Sequence, residues 1–153
     1  MKAKQELKKY FIKVITSEDQ AIGIYQAELF WKRRPKDVFK EILKEEIYHE
    51  AQLIDFIHSR GWVLTRKQKT LMAVNRISGW FIGTFLSILP RSLCFCFHHL
   101  AEKQAASGYS DLMVDIDNSH NQKWIKSSNI KDKIKKIMDS ENLHAETFKA
   151  LMN

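Results

Sequence analysis

Two short patterns of acid and imidazole recur in the chain, Glu46-Ile47-Tyr48-His49 and Glu141-Asn142-Leu143-His144. A glutamate and a histidine three residues apart share one side of an α-helix, so both can reach a single metal ion. Phe39, Ile42, Glu46, His49, Leu53 and Phe56 follow alternating steps of three and four, and so do Ile134, Ile137, Glu141, His144, Phe148 and Leu151. Each pair therefore occupies the middle of an apolar face that a globular helix buries. Burying an unpaired carboxylate is costly, and proteins pair such a charge or give it to a metal.

Two Glu-x-x-His helices plus one glutamate from each of two further helices form the ligand set of di-iron carboxylate bundles. Glu18 fits the first missing place, in the stripe Ile15, Glu18, Ile22, Tyr25 and Leu29. Glu102 fits the second, in the stripe Phe95, His98, Glu102, Ala105, Tyr109, Leu112 and Ile116. Glu28 competes with Glu18 but falls off that stripe, beside Leu29. A weak internal repeat supports the choice: Glu18, Ala21 and Tyr25 match Glu102, Ala105 and Tyr109 in spacing, and each unit precedes a Glu-x-x-His helix. The expectation is two halves related by a pseudo-two-fold axis with two metal ions between them, held by Glu18, Glu46, His49, Glu102, Glu141 and His144. Glu46 and Glu141 are expected to bridge and the other four to bind terminally. The four glutamates double as the catalytic set. Carboxylates suit hard ferric iron, and imidazole also suits ferrous iron.

The other histidines carry less. His98 lies one turn before Glu102 and reads as a partner behind a ligand or as a core histidine. His58, His99 and His120 read as surface or loop residues. The Trp and Phe residues read as core or interface anchors.

The elements that must position these residues are helices. Five glycines and two prolines in 153 residues favour long helices over a turn-rich β fold. The pattern predicts an opening helix over 4–16, a second from a Ser17/Gln20 capping box to about Arg33, and a third begun by Pro35 and closed by Gly61. A helix over about 67–89 follows. Pro90 marks a kink or the start of another, which extends to about Ile116. Asp117-Asn118-Ser119 reads as a loop, and the last helix covers about 130–152. No low-complexity linker divides the chain, which reads as one domain over 1–153.

Apolar residues make up 44% of the chain, enough for a packed interior and too much for disorder. The net charge of +7 favours anionic contacts: phospholipid headgroups, nucleic acid or an acidic partner. Cys94 and Cys96 are too few and too close for a four-ligand metal site and read as small buried hydrophobes in a reducing compartment. Met1 to Glu6 contains no signal-peptide core. The longest apolar run, Ile77 to Phe97, is broken by Pro90 and Arg91, so it reads as a buried or membrane-surface element and not as a span.

Taken together, the motifs resemble those of the demethoxyubiquinone hydroxylases of ubiquinone biosynthesis. Ser17-Glu18-Asp19-Gln20-Ala21-Ile22-Gly23-Ile24-Tyr25 is similar to the family's first ligand motif, and Glu46-Ile47-Tyr48-His49 to its second. Glu102 with Tyr109 resembles the third, downstream of an apolar helix that here carries Gly79 and Gly83. Asp139-Ser140-Glu141-Asn142-Leu143-His144 resembles the fourth, and the likeness runs from about residue 8 to the C-terminus. The resemblance implies an all-α, ferritin-like helical bundle with a di-iron centre between four core helices. It implies a dioxygen-dependent monooxygenase that hydroxylates the ring of a polyprenylated quinone precursor, with reducing equivalents from NADH. The partners expected are that quinone and an anionic membrane surface, met peripherally from the cytoplasmic side of the inner membrane; a homo-oligomer is left open. The alternatives are a di-iron tRNA hydroxylase, which would also use the positive charge and bind RNA in a salt-sensitive way, an iron-oxidising or electron-transfer protein, and a metal-free helical scaffold.

Overall fold

A computed structural model describes residues 2–118 and 129–152, and among them the chain forms five helices and no strand. They are α1 (Lys2–Phe30), α2 (Lys36–Ser59), α3 (Arg66–Ile88), α4 (Arg91–Asn118) and α5 (Ile130–Leu151). The all-α class expected from the sequence is the one observed. The chain groups into two compact units: a terminal unit of Met1–Val14 and Arg91–Asn153, and a central unit of Ile15–Pro90.

Three boundaries differ from the sequence expectation. α1 runs unbroken through Ser17, so the Ser17/Gln20 pattern caps nothing. Ile15 and Ile22, on either side of it, are fully buried, and packing of that kind overrides a weak local capping signal. The capping box of this chain is at Thr65 instead, whose hydroxyl accepts from Gln68 N at 3.2 Å while the Gln68 side chain accepts from Thr65 N at 2.9 Å. Asp117 and Asn118 continue α4 and are not a loop; Ser119 and His120 lie outside the described residues.

α1 also stops at Phe30, short of Arg33. Lys32 turns left-handed, with φ 58°, and Arg33 N then donates back to Glu28 O at 2.8 Å. This is a Schellman closure, and it leaves the Arg33 guanidinium donating to the carbonyls of Ser87 and Leu89 at the C-terminal end of α3. α2 closes the same way at the expected glycine: Gly61 has φ 67°, with Gly61 N to His58 O at 2.9 Å and Trp62 N to Ile57 O at 3.1 Å.

In the central unit, α3 seats on α1 through glycine. A Cβ on Gly79 would stand 2.0 Å from the Gln20 carbonyl oxygen, and one on Gly83 would stand 2.3 Å from that of Ile24. Gly23 is as tight from the other side, 2.1 Å from the carbonyl oxygen of Arg76. The opposite face of α3 is bare: Leu71, Val74, Ile77, Phe81, Phe85 and Ile88 are exposed. Among the described residues, α3 alone is long and apolar enough to cross a membrane by length and composition, although Pro90 ends it as the sequence suggested. In the terminal unit, α4 packs along α5, with Phe95, Tyr109, Leu112, Ile134, Ile137 and Phe148 buried.

Candidate metal centre

In the central unit, α2 buries Phe39, Ile42, Leu53 and Phe56, so Glu46 and His49 in the same row are carried inward with them. α1 brings Glu18 from its own stripe, between buried Ile15 and Ile22. The three side chains offer ligand atoms within 4.8 Å of one another. His49 presents Nδ1 to Glu18, 3.8 Å from Oε2.

The terminal unit builds the same triad from different helices. α5 buries Ile134, Ile137 and Phe148 around Glu141 and His144, and α4 supplies Glu102. Their ligand atoms again lie within 4.8 Å of one another, with His144 Nδ1 at 3.6 Å from Glu102 Oε2. Behind the ring, Ser140 Oγ stands 3.4 Å from Nε2. A hydroxyl there can fix the ring's orientation, as partners of metal-bound imidazoles commonly do.

All six residues are at most 4% exposed. Acids buried that deeply are not the solvated surface pairs that a lone Glu-x-x-His usually makes. Two carboxylates and an imidazole, dry and mutually in reach, can hold a metal ion.

Several residues differ from their sequence reading. Glu28, set aside as off the stripe, is fully buried. Cys94 is buried as expected, but Cys96 is exposed. His98 is buried and stacks on Phe148, ring centroids 4.5 Å apart, which fits the core reading. His99, read as a surface residue, is half-buried and donates from Nδ1 to Ala145 O at 2.8 Å. His58 is exposed as expected.

A charged cluster beside the central triad escaped the sequence reading. Arg76 Nη2 lies 2.7 Å from Asp19 Oδ1 and 2.7 Å from Glu50 Oε2. Burial, reinforced by the neighbouring Glu50 carboxylate, pushes Asp19 up to about 6 against the opposing pull of Arg76. One signal was available: Arg76 is the lone charged residue between Lys69 and Arg91, inside an otherwise apolar helix.

Over residues 13–153, nearly its whole length, the chain matches the family described as Ubiquinone biosynthesis protein COQ7. Comparison with curated proteins and with solved structures gives no match.

Proposed function

Because the chain belongs to the ubiquinone biosynthesis protein COQ7 family, we propose that it is a di-iron, dioxygen-dependent monooxygenase that hydroxylates the ring of a polyprenylated quinone precursor. Its role lies in ubiquinone biosynthesis and its fold is ferritin-like and all-α. The observation that carries the finer reading is the pair of buried triads. Glu18, Glu46 and His49 repeat in construction as Glu102, Glu141 and His144, in the chain order of the di-iron bundles.

In this reading the six residues hold two iron ions, and bound iron supplies the activation of dioxygen. The residues do the rest. The glutamates give hard, anionic donors that balance ferric charge, and His49 and His144 add imidazole through Nδ1. Burial keeps bulk water from the site, which limits loss of oxidising equivalents to side reactions. One oxygen atom enters a ring C–H bond as hydroxyl and the other leaves as water. That balance consumes two electrons and two protons; we assign the electrons and one proton to NADH, and the second proton to solvent.

Ubiquinone biosynthesis implies a membrane-associated location, since the polyprenyl tail stays in the bilayer. We assign the contact to the bare face of α3. Phe81, Phe85 and Ile88 are exposed there, and the exposed Phe30 and Trp31 at the end of α1 adjoin the basic Lys32-Arg33-Arg34. Aromatic and basic residues together suit the headgroup boundary of an anionic surface. Arg76, midway along α3 and ion-paired with Asp19 and Glu50, suits a helix lying on the surface rather than crossing it. The side of approach is proposed as the cytoplasmic face of the inner membrane.

The test is a turnover assay. Purified, iron-loaded protein, vesicles carrying a polyprenylated precursor, NADH and labelled dioxygen should give a ring-hydroxylated product holding one labelled oxygen. Product with oxygen from water, or no product while tRNA is modified under the same conditions, would refute the reading.

A further inference from the structure

α3 contributes none of the six candidate ligands, yet one of its side chains reaches both helices of the central triad. Arg76 Nη2 stands 2.7 Å from Asp19 on α1 and 2.7 Å from Glu50 on α2. Asp19 directly follows Glu18 in the chain, and Glu50 directly follows His49. From this juxtaposition we infer that Arg76 is a positioning residue, tying Asp19 to Glu50 so that the rotation of α1 against α2 keeps Glu18 and His49 aimed at one metal position. The inference rests on the metal-centre reading above and adds a residue to it from outside the ligand set.

The base of the tie is rigid. Gly23 lets α1 close on α3 at Arg76 itself, where a Cβ would come within 2.1 Å of the Arg76 carbonyl oxygen. One turn on, Gly79 lies equally close to Gln20. The backbone that carries Arg76 is thus wedged against the α1 segment that carries Asp19, and the guanidinium extends from a fixed point.

The far end of the tie is more shielded than its base. The side chains of Asp19 and Glu50 are 3% and 13% exposed, against 40% for Arg76. With the cation removed, the buried Asp19 and the partly buried Glu50 carboxylates repel each other across the α1–α2 contact. A helix rotation of about 20° moves a side-chain tip, about 6 Å from the axis, by about 2 Å. Metal–ligand distances tolerate only about 0.2 Å. A small loss of rotational register between α1 and α2 is therefore enough to separate Glu18 and His49 as co-ligands.

Cobalt(II) titration followed by visible absorption tests this, with circular dichroism as the check on folding. Arg76→Met should bind cobalt about 10–100-fold more weakly than the unaltered chain and shift its visible band, with helicity kept. Arg76→Lys keeps one nitrogen able to touch both carboxylates and should recover most of the affinity. Lys131→Met removes an ion pair, to Asp117, that adjoins no ligand, and should match the unaltered chain. The triple variant Asp19→Asn, Glu50→Gln, Arg76→Met removes the tie without stranding a charge, and it should stay weak. Unaltered affinity and band in Arg76→Met would overturn the inference, as would full recovery in the triple variant. Should Arg76→Met fail to fold, the triple variant decides alone by the same criterion. An unaltered chain that binds no cobalt would overturn the metal reading first, and this inference with it.

Discussion

His144 Nδ1 lies 3.6 Å from Glu102 Oε2, between packed helices α5 and α4. The gap is longer than a hydrogen bond and sets an imidazole nitrogen and a carboxylate oxygen facing one another at the reach of a shared ion. The central unit repeats the relation with His49 and Glu18 at 3.8 Å. In both units the nitrogen turned to the acid is Nδ1, so the weak internal sequence repeat has a counterpart in side-chain geometry.

That relation makes the histidines separable from the fold. His49→Ala and His144→Ala should each weaken iron binding by at least about 10-fold. Helicity should be retained, because the apolar stripes supply most of the folding energy. Iron analysis and circular dichroism on the two variants check it. Full iron occupancy in both would remove the histidines from the ligand set.

The seat of α3 on α1 predicts a different effect. Gly79→Ala places a methyl group 2.0 Å from a backbone oxygen, which only a shift of the helices can relieve. The variant should lose about 1–3 kcal/mol of stability, the usual cost of overpacking. Urea unfolding measures it. A neutral result would mean that α3 does not pack on α1 this closely.

Lys32 offers a stabilising change. It holds a left-handed φ of 58° at the closure of α1, where a side chain costs about 1–2 kcal/mol. Lys32→Gly should raise stability by about 1 kcal/mol, part of that cost being returned through the freer unfolded chain. Thermal or urea unfolding would show the gain, and a loss would contradict the Schellman closure described here.

The proposed membrane attachment through α3 predicts the effect of Phe81→Ser with Phe85→Ser. Both rings are exposed, 66% and 60%, so the change should leave the fold intact. Each ring withdrawn from the bilayer forfeits about 1.5–3 kcal/mol, enough to release the protein from anionic vesicles. The unaltered chain should bind those vesicles and bind less in high salt. Co-sedimentation decides between these outcomes, and equal binding by both proteins would place the contact elsewhere.

The two buried Glu/His triads were legible in the sequence because acid and imidazole broke an apolar stripe of helical period. Glu46 and Glu141 stood out among Ile and Phe on faces that had to be buried. Asp19 and Glu28 were not legible by the same rule. At about 100° per residue they fall on other sides of α1 than Glu18, and those sides are buried as well. A single-stripe reading assumes one narrow buried face, whereas α1 is buried on most sides here and leaves only positions such as Ser17 and Gln26 exposed. Ser17 misled for a related reason, since a capping pattern costs nothing inside a helix held by packing. The bare face of α3 carries the same kind of apolar stripe as the buried helices. Period alone cannot say whether protein or lipid covers it.

The central proposal is that Glu18, Glu46, His49, Glu102, Glu141 and His144 hold two iron ions. Mössbauer and electron paramagnetic resonance spectra of the iron-loaded chain address it directly. The account predicts two irons per chain, in the oxidised state a coupled pair with no paramagnetic resonance signal. A single iron per chain, or two irons giving the signal of isolated high-spin ferric ions, would contradict it.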